Sequence, residues 1–371
     1  MTFELPPSLG IHGDRKTAED IMSRIWGKRG VFTCTIANTL TSTIPGISEA
    51  GDTPELTLFT GPADAEFLVM GKVTCMKGIP INPGNIPTPA TLTKAALELS
   101  KMPFLIINGG SQVIPNIPCI EVGGECGQKI TTGHAMSAAQ VRKSFEYGRI
   151  LGEQLAKTYD YVVISESCAG GTTTALAVLL AMGTVRENLV SSSSPKNPKQ
   201  FKWDTVMQGL NAAGIGIGDL ADDPLKAVEC VGDPMMPVNI GILVGAAKHV
   251  PVIVGGGTQM ASIMAAAVKL EPSIIGNFMQ GTTRWLLSDP NSSMERLAEA
   301  ISPSIPIVNI NMDYSKSPYE GLQAYEWGYI KEGVGCGGSS VAAVIESSGR
   351  IDCDMLLDKV HEIYQKIMNA D

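Results

Sequence analysis

The chain has 371 residues, 44% of them hydrophobic and 18% charged, with a formal net charge of −9. That balance supports a sizeable buried core and excludes a solvated, disordered chain. The acidic sign argues against nucleic acid as a main partner, because phosphate backbones are gripped chiefly by lysine and arginine.

The amino end carries no basic stretch followed by an apolar run. Elsewhere the long aliphatic stretches are interrupted, at Lys248, His249 and Pro251, before the roughly 20 residues that a membrane span needs. The expectation is a soluble, cytoplasmic protein with no membrane partner. Eight cysteines occur without a CxxC pair, and the four histidines stand apart at positions 12, 134, 249 and 361. In a chain of this size such cysteines are buried thiols, so neither a disulfide framework nor a metal centre is expected.

Taken in order, the first hundred residues are irregular. Prolines at 80, 83, 87, 89 and 103 punctuate the stretch "GIPINPGNIPTPATLTKAALEL", which suits a loop folded over a site before a helix that begins at Thr91 or Thr93. Next comes "FLIINGG" from 104. Ser137 and Gln140 then form a capping box ahead of Val141, Phe145, Leu151 and Leu155. The apolar runs "YVVISES" from 161, "PVIVGGG" from 251, "PSIIGNF" from 272 and "IPIVNIN" from 305 read as strands buried on both faces. Asp223 and Pro224 mark a helix start, and "DCDMLLDKVHEIYQKIMN" ends the chain as an amphipathic helix with Leu356, Val360, Ile363 and Ile367 on one face. Alternating strands and helices predict a doubly wound, mostly parallel, Rossmann-like α/β/α sheet.

Three loops have the composition of an anion site at strand ends, where glycine turns expose the amides that begin a helix. "SESCAGGTTT" offers Gly170, Gly171, Thr172 and Thr173. "SSSSPKNPKQFKW" offers Ser191 to Ser194, Ser194 above all, and, as a mobile positive charge, Lys202. "KEGVGCGGSSVAA" offers Gly333 and Gly335. Each also has a plain reading as a capped turn, a serine-rich loop or a solvated lysine, and the GxGxxG match in the third follows no apolar strand. Glu166 and Glu332 directly precede two of these loops, placed to act as general bases, to bind a ribose, or simply to cap. Cys168 has no histidine near it in sequence and reads as packing. No GxxxxGK[ST] loop is present, which favours a monophosphate held by amides and a lysine over ATP, with no cofactor.

The order of these motifs resembles the nicotinate-nucleotide:dimethylbenzimidazole phosphoribosyltransferases, and most of all their divergent archaeal and cyanobacterial branch. The likeness runs from about residue 104 to 345. "GHAMSAAQV" is similar to the family's Gly-Pro-Ala-Met-Thr segment, "SESCAGGTTTALAVL" to its Gly-Glu-Met-Gly-Ile-Gly-Asn-Thr-Thr loop, and "DDPLKAVECVGDPM" to its Asp-Pro-Leu and Gly-Gly-Phe-Glu segments. "SKSPYEGLQAYEWGYIKEGVGCGG" resembles the ending with Gly-Glu-Gly-Thr-Gly. Lys331 stands where the family has a glycine, Cys336 where it has a small residue, and Asp233-Pro234 where it has Gly-Phe.

The resemblance implies transfer of 5-phosphoribose from nicotinate mononucleotide to a benzimidazole-like or purine base, giving an α-ribotide for the cobalamin lower ligand. It implies Glu332 as the catalytic base, Glu166 as a ribose- or base-orienting partner, and a homodimer. Pro87, Thr88 and Thr91 are the candidates for the base pocket. The expected division is a small helical lobe from residues 1–60 and 346–371 around a large α/β domain over 61–345. Two rivals remain. "ESCAGG" is also similar to a Glu-Ser-Cys-Thr-Gly-Gly motif of nicotinamide-nucleotide amidohydrolases, and a non-catalytic nucleotide- or base-binding protein fits the departures at Lys331 and Asp233-Pro234.

Overall fold

The structure, a computed structural model, describes residues 4–76, 81, 82 and 85–369. The chain runs β1 (Leu9–His12), α1 (Arg15–Ile25), β2 (Gly30–Ala37), α2 (Thr60–Met70), β3 (Ile81–Asn82), β4 (Ile86–Pro87), α3 (Ala90–Ser100), β5 (Phe104–Gly110) and β6 (Ile120–Glu121). It continues through α4 (Ala138–Leu155), β7 (Tyr161–Ser167), α5 (Gly171–Ala181), α6 (Lys199–Ala212), α7 (Pro224–Val231), α8 (Met235–Ala247), β8 (Val252–Gly255), α9 (Met260–Leu270) and β9 (Phe278–Thr283). The last elements are α10 (Arg284–Leu287), α11 (Met294–Ile301), β10 (Ile307–Ile310), α12 (Glu320–Gln323), α13 (Cys336–Glu346) and α14 (Cys353–Met368).

Eight strands form one sheet in the order β1-β10-β9-β8-β7-β2-β5-β6. All neighbours are parallel except β1, which runs antiparallel to β10 at one edge. The alternation of side chains along each strand divides the interior into two cores, one on each face. Val31, Val162, Ile164, Val252 and Val254 point into the layer of α4 to α9. Phe32, Cys34, Tyr161, Val163 and Ile253 point the other way, into the layer of α1, α3, α13 and α14. A sheet buried on both faces accounts for apolar runs that do not alternate with polar residues.

Four of the expected strands occur where the sequence places them, as β5, β7, β8 and β10. The run "PSIIGNF" does not become a strand at 272. Pro272–Ile274 is a single tight turn, Gly276 takes a left-handed φ of 87°, and extended backbone begins only at Phe278. Ser137 caps α4 through the Gln140 amide at 3.2 Å, but the Gln140 side chain turns to the Glu125 carbonyl at 2.7 Å, so the reciprocal half of the capping box is absent. Helix α3 starts at Ala90, one residue before the expected Thr91. Pro80 and Pro83 lie outside the described residues.

The boundaries drawn at 60 and 346 do not separate two bodies. Helix α14 does pack on α3 as a helical layer, but β1 and β2 bring the first sixty residues into the sheet, and β2 lies near its middle between β7 and β5. The short apolar stretch "GVFTCTIA" carries two threonines and a cysteine, which hides it from a search for continuous aliphatic runs. Both threonines are wholly buried, and their hydroxyls bond the Val163 carbonyl and Asn239.

Helices α4 and α8 cross at unusually short range because glycine faces glycine. A Cβ on Gly148 would lie 2.2 Å from the Val238 carbonyl oxygen, and one on Gly245 would lie 2.2 Å from that of Arg149. Gly152 and Gly241 make the same kind of approach, to Ile242 and Phe145. No side chain fits between these backbones, so the four glycines set the distance between α4 and α8.

After β1, which lies at the far edge, the parallel part of the sheet starts at β2, adds β5 and β6 on one side, and then returns to add β7 on the other. That reversal makes the carboxyl ends of β2 and β7 the place where ligands bind in open parallel sheets. Helix α2 crosses just above it: a Cβ on Gly61 would lie 2.7 Å from the Ser167 carbonyl oxygen.

Candidate functional site

A cleft opens at these carboxyl ends. Its floor is the turn after β7, Glu166 to Thr172, and its sides are Ser191 to Ser193, Gly257 to Gln259, and Ile330 to Val334. The segment 47–52, Leu56, Thr60, Ala63 and Asp64, with Met76, Thr88 and Pro89, closes the remaining side.

Glu332 sits in a stretch of forced backbone. Ile330, Lys331 and Val334 have left-handed φ values of 63°, 65° and 54°, alongside Gly333 at 147° and Gly335 at 61°. Such conformations cost free energy in non-glycine residues and persist where the surroundings dictate them. Here the surroundings are visible: the Lys331 carbonyl accepts from Thr283 Oγ1 at 2.5 Å and the Ile330 amide donates to the Ser193 carbonyl at 2.7 Å. The result aims the Glu332 carboxylate at the start of α13. Gly333 N donates to Oε2 at 2.6 Å, Cys336 Sγ to the same oxygen at 3.2 Å, and Gly337 N to Oε1 at 2.8 Å. Burial raises this carboxyl to about 7, against the pull of those donors. A base of that strength takes up protons near neutrality.

Glu166 is 3% exposed and, among the described residues, receives only the Cys168 amide, at 2.8 Å. Burial, and then the charge of Asp233, push it up to about 8. Asp233 is itself buried beneath the turn, accepts from Thr174 Oγ1 at 2.6 Å and the Met235 amide at 3.1 Å, and is raised to about 6 by burial. This explains the aspartate at 233: it ties α5 to the start of α8 and supplies a fixed negative charge below the site.

The two lysines are not surface charges. Lys202, expected to be mobile, is fully buried, and its ammonium donates to Thr172 Oγ1 at 3.0 Å and the Ser191 carbonyl at 2.7 Å. Burial and the nearby Lys331 bring it down to about 7. Lys331, also buried, donates to the Gly328 carbonyl at 2.8 Å and the Ser194 carbonyl at 3.2 Å, and lies 3.7 Å from Asp289. Two ammonium groups therefore hold the carbonyls at the two ends of the serine run. Asp289 completes the support by accepting from Ser191 Oγ at 2.6 Å.

Among the described residues the amides of Thr172, Ser192 and Ser193 find no acceptor, and all three residues line the cleft. Free amides backed by buried cations, at a helix start, are a receptor for an oxyanion.

Of the residues singled out in the sequence, Glu166, Gly170, Gly171, Thr172, Glu332, Gly333 and Thr88 line one cleft. Lys202 stands directly behind it. The others lie off the wall. Thr173 faces inward from α5, its hydroxyl buried without a partner. Ser194 turns its carbonyl to Lys331, and the wall is made by the other three serines of the expected run, Ser191 to Ser193. Gly335 packs beneath the site, where a Cβ would strike Ser165 at 2.4 Å. Pro87 gives its carbonyl to the Tyr325 hydroxyl, and Thr91 is buried in α3.

Two groups of site residues escape the sequence reading. Gly257, Thr258 and Gln259 form a fourth glycine turn, at the end of the "PVIVGGG" strand, and a Cβ on Gly171 would lie 2.5 Å from Gln259 Oε1. The glycine triplet was the available signal. Asp64 gave none: it lies in "TGPADAEFLVM", a helix buried along almost its whole length and without amphipathic pattern.

The Cys168 thiol is pushed far up by burial and by Asp233 and Glu166, and among the described residues its one hydrogen-bond contact is a long one to the Ala169 carbonyl. Nothing here prepares a thiolate, as an amidohydrolase that used this cysteine as its nucleophile would require. Among the described residues no helix is long and apolar enough to cross a membrane, and no group of three His, Cys, Asp or Glu side chains is arranged to hold a metal ion.

Comparison with known proteins gives three consistent findings. Residues 112–284 match a family model described as Phosphoribosyltransferase. The chain is 42% identical to a UPF0284 protein of Sulfolobus acidocaldarius, covering 91% of this chain and 95% of that one. It is 37% identical to a UPF0284 protein of Methanothermobacter thermautotrophicus, covering 99% and 100%. In fold it is similar to the crystal structure of the nicotinate-nucleotide-dimethylbenzimidazole phosphoribosyltransferase from Thermus thermophilus, with a TM-score of 0.59 over 90% of this chain and 88% of that one, at 15% identity.

Proposed function

This chain belongs to the UPF0284 family and is a phosphoribosyltransferase; from that premise we propose that it moves 5-phosphoribose from nicotinate mononucleotide to a ring nitrogen of an aromatic base. The products are an α-ribotide, of the kind built into a cobalamin lower ligand, and nicotinate. The observation that carries the reading is the Glu332 carboxylate, fixed by the Gly333 and Gly337 amides in the same cleft as the free amides of Thr172, Ser192 and Ser193.

The chemistry needs little more. The donor's pyridinium leaves as a neutral pyridine, so its departure needs no acid. The incoming azole attacks C1′ with one nitrogen and must lose the proton on its other nitrogen, which Glu332 accepts. The amides of the β7 turn and the serine loop, with the buried Lys202 and Lys331 behind them, hold the 5′-phosphate and so fix C1′ in front of the attacking nitrogen. The gain from this is positional. Glu166, across the floor and kept largely protonated near neutrality, orients the ribose or the incoming base by hydrogen bonding.

Purified protein incubated with nicotinate mononucleotide and a panel of benzimidazoles and purines should release nicotinate only when a base is present, with an α-ribotide detected by mass. Release of ammonia from nicotinamide mononucleotide, with no ribotide from any base, would replace this reading with the amidohydrolase one. Binding of the donor without either product would make it a binding protein.

A further inference from the structure

We infer that Asp64 selects the acceptor, and that the incoming base carries an exocyclic amino group, as an aminopurine does and a hydrocarbon-edged benzimidazole does not. This rests on the phosphoribosyl transfer proposed above and specifies its substrate.

Asp64 lies on the first half of α2, over the ends of β2 and β7, and is 4% exposed at the cleft wall. Its neighbours along that wall are mainly apolar: Ile47, Leu56, Ala63, Met76 and Pro89. Among the described residues no cation pairs with it. Thr88 Oγ1 donates to Oδ1 at 2.6 Å and Ser167 Oγ donates to Oδ2 at 2.7 Å, and these are its only donors among the described residues. Each oxygen therefore keeps an unused lone pair at a surface from which water is expelled when a flat base enters. A carboxylate left in that state costs binding free energy unless the ligand supplies a donor.

The contacts also say which part of the base meets it. Asp64 and Glu332 are linked along one wall: Thr88 bonds Asp64, and the next residue, Pro89, packs on Gly333, where a Cβ would lie 2.7 Å from the proline ring. Along the floor, Ser167 bonds Asp64, and the adjacent Glu166 is raised by the charges of both Asp64 and Glu332. A planar base standing between these walls presents one ring nitrogen to C1′, one edge to Glu332 and another to Asp64. A benzimidazole has a single N–H, and the reaction gives that proton to Glu332. Nothing remains on it for Asp64. An aminopurine retains its exocyclic amino group, two further N–H donors, after its ring proton is lost.

The matched pair adenine and unsubstituted purine isolates the amino group. The measurement is the ratio of their kcat/KM values with nicotinate mononucleotide, for wild-type protein and for Asp64→Asn, with 5,6-dimethylbenzimidazole as a third base. The asparagine keeps both hydroxyl contacts, since either hydroxyl can rotate to accept from the amide. A ratio, moreover, cancels any loss of active protein. We expect the wild type to favour adenine over purine and over 5,6-dimethylbenzimidazole by about 10- to 100-fold, the worth of one hydrogen bond to a charged group. In Asp64→Asn the adenine-to-purine ratio should fall to near one. A wild-type ratio near one, a preference for 5,6-dimethylbenzimidazole, or a ratio that Asp64→Asn leaves intact would each overturn the inference while ribotide formation itself stands. If no base yields a ribotide, the transfer reading falls, and this inference with it.

Discussion

Glu332→Gln separates the chemistry of the carboxylate from the cost of burying it. The side chain has an ordinary value of 4.5 and stands at about 7 in the fold. Ionising it inside the protein therefore costs about 3 kcal/mol more than ionising it in the unfolded chain. The sign follows from counting protons. Below pH 4.5 both states hold the proton and the group contributes no difference. Between 4.5 and about 7 the unfolded chain releases it while the fold keeps it, so native stability declines through that window and stays lowered above it. Glutamine has no such slope, although its NH2 must face either the Gly333 or the Gly337 amide, an offset of about 1–3 kcal/mol that is the same at every pH. The variant should therefore gain on the wild type by up to about 3 kcal/mol between pH 5 and pH 8, measured by urea unfolding. Over the same range its single-turnover rate of ribotide formation should be roughly 10²- to 10⁴-fold lower. The wild-type kcat/KM, which reports the free protein, should climb through about pH 7 and level off. Turnover within tenfold of wild type, or a stability gap that does not change with pH, would refute the assignment of Glu332 as a buried base.

Two further perturbations address the frame and the anion site. Gly148→Ala places a methyl 2.2 Å from the Val238 carbonyl oxygen and must push α4 off α8, so unfolding should show a loss of about 2–4 kcal/mol, against a gain of a few tenths if the helices were loosely packed. Lys202 falls to about 7, so the phosphate site should lose charge as pH rises past neutrality. Calorimetric binding of inorganic phosphate should weaken between pH 6 and pH 8.5, and Lys202→Met should bind weakly and with a shallower pH dependence. Equal phosphate affinity in the variant would remove Lys202 from the site.

Much of this arrangement is legible in the sequence because it is local. Glu166 and Glu332 each abut a glycine turn, and a strand, a turn and a helix start in succession place such residues at a sheet's carboxyl edge whatever the rest of the chain does. The misreadings concern groups whose role is set by partners far away in sequence. Lys202 reads as a solvated charge on a polar helix, and only the fold shows the Ser191 carbonyl and Thr172 waiting for it. Lys331 occupies a position that the resembled family fills with glycine, and the left-handed φ of 65° explains that preference. Here lysine is accommodated because its ammonium bonds two carbonyls and faces Asp289. Asp64 is illegible because α2 is buried along almost its whole length and has no amphipathic pattern to show which side faces a cleft. Strand β2 was missed because its buried hydroxyls resemble surface threonines until Val163 and Asn239 are seen across from them.

The electrostatics of the cleft also bear on when Glu332 acts. Asp64, Glu166, Asp233 and Glu332 lie close enough that the charges of the other three all raise Glu166, so the four cannot all be ionised together near neutrality. A nicotinate mononucleotide donor places a positive charge at its ring nitrogen, balanced farther out by its own ring carboxylate, and so favours ionisation of the carboxyls that face that nitrogen. Under the proposed reaction that cation then disappears, because the pyridine departs neutral. With it goes the charge that kept the carboxyls ionised. The proton affinity of Glu332 therefore rises at the step in which the incoming base must give up its proton, and the buried acids that destabilise the resting fold become the driving force for proton transfer.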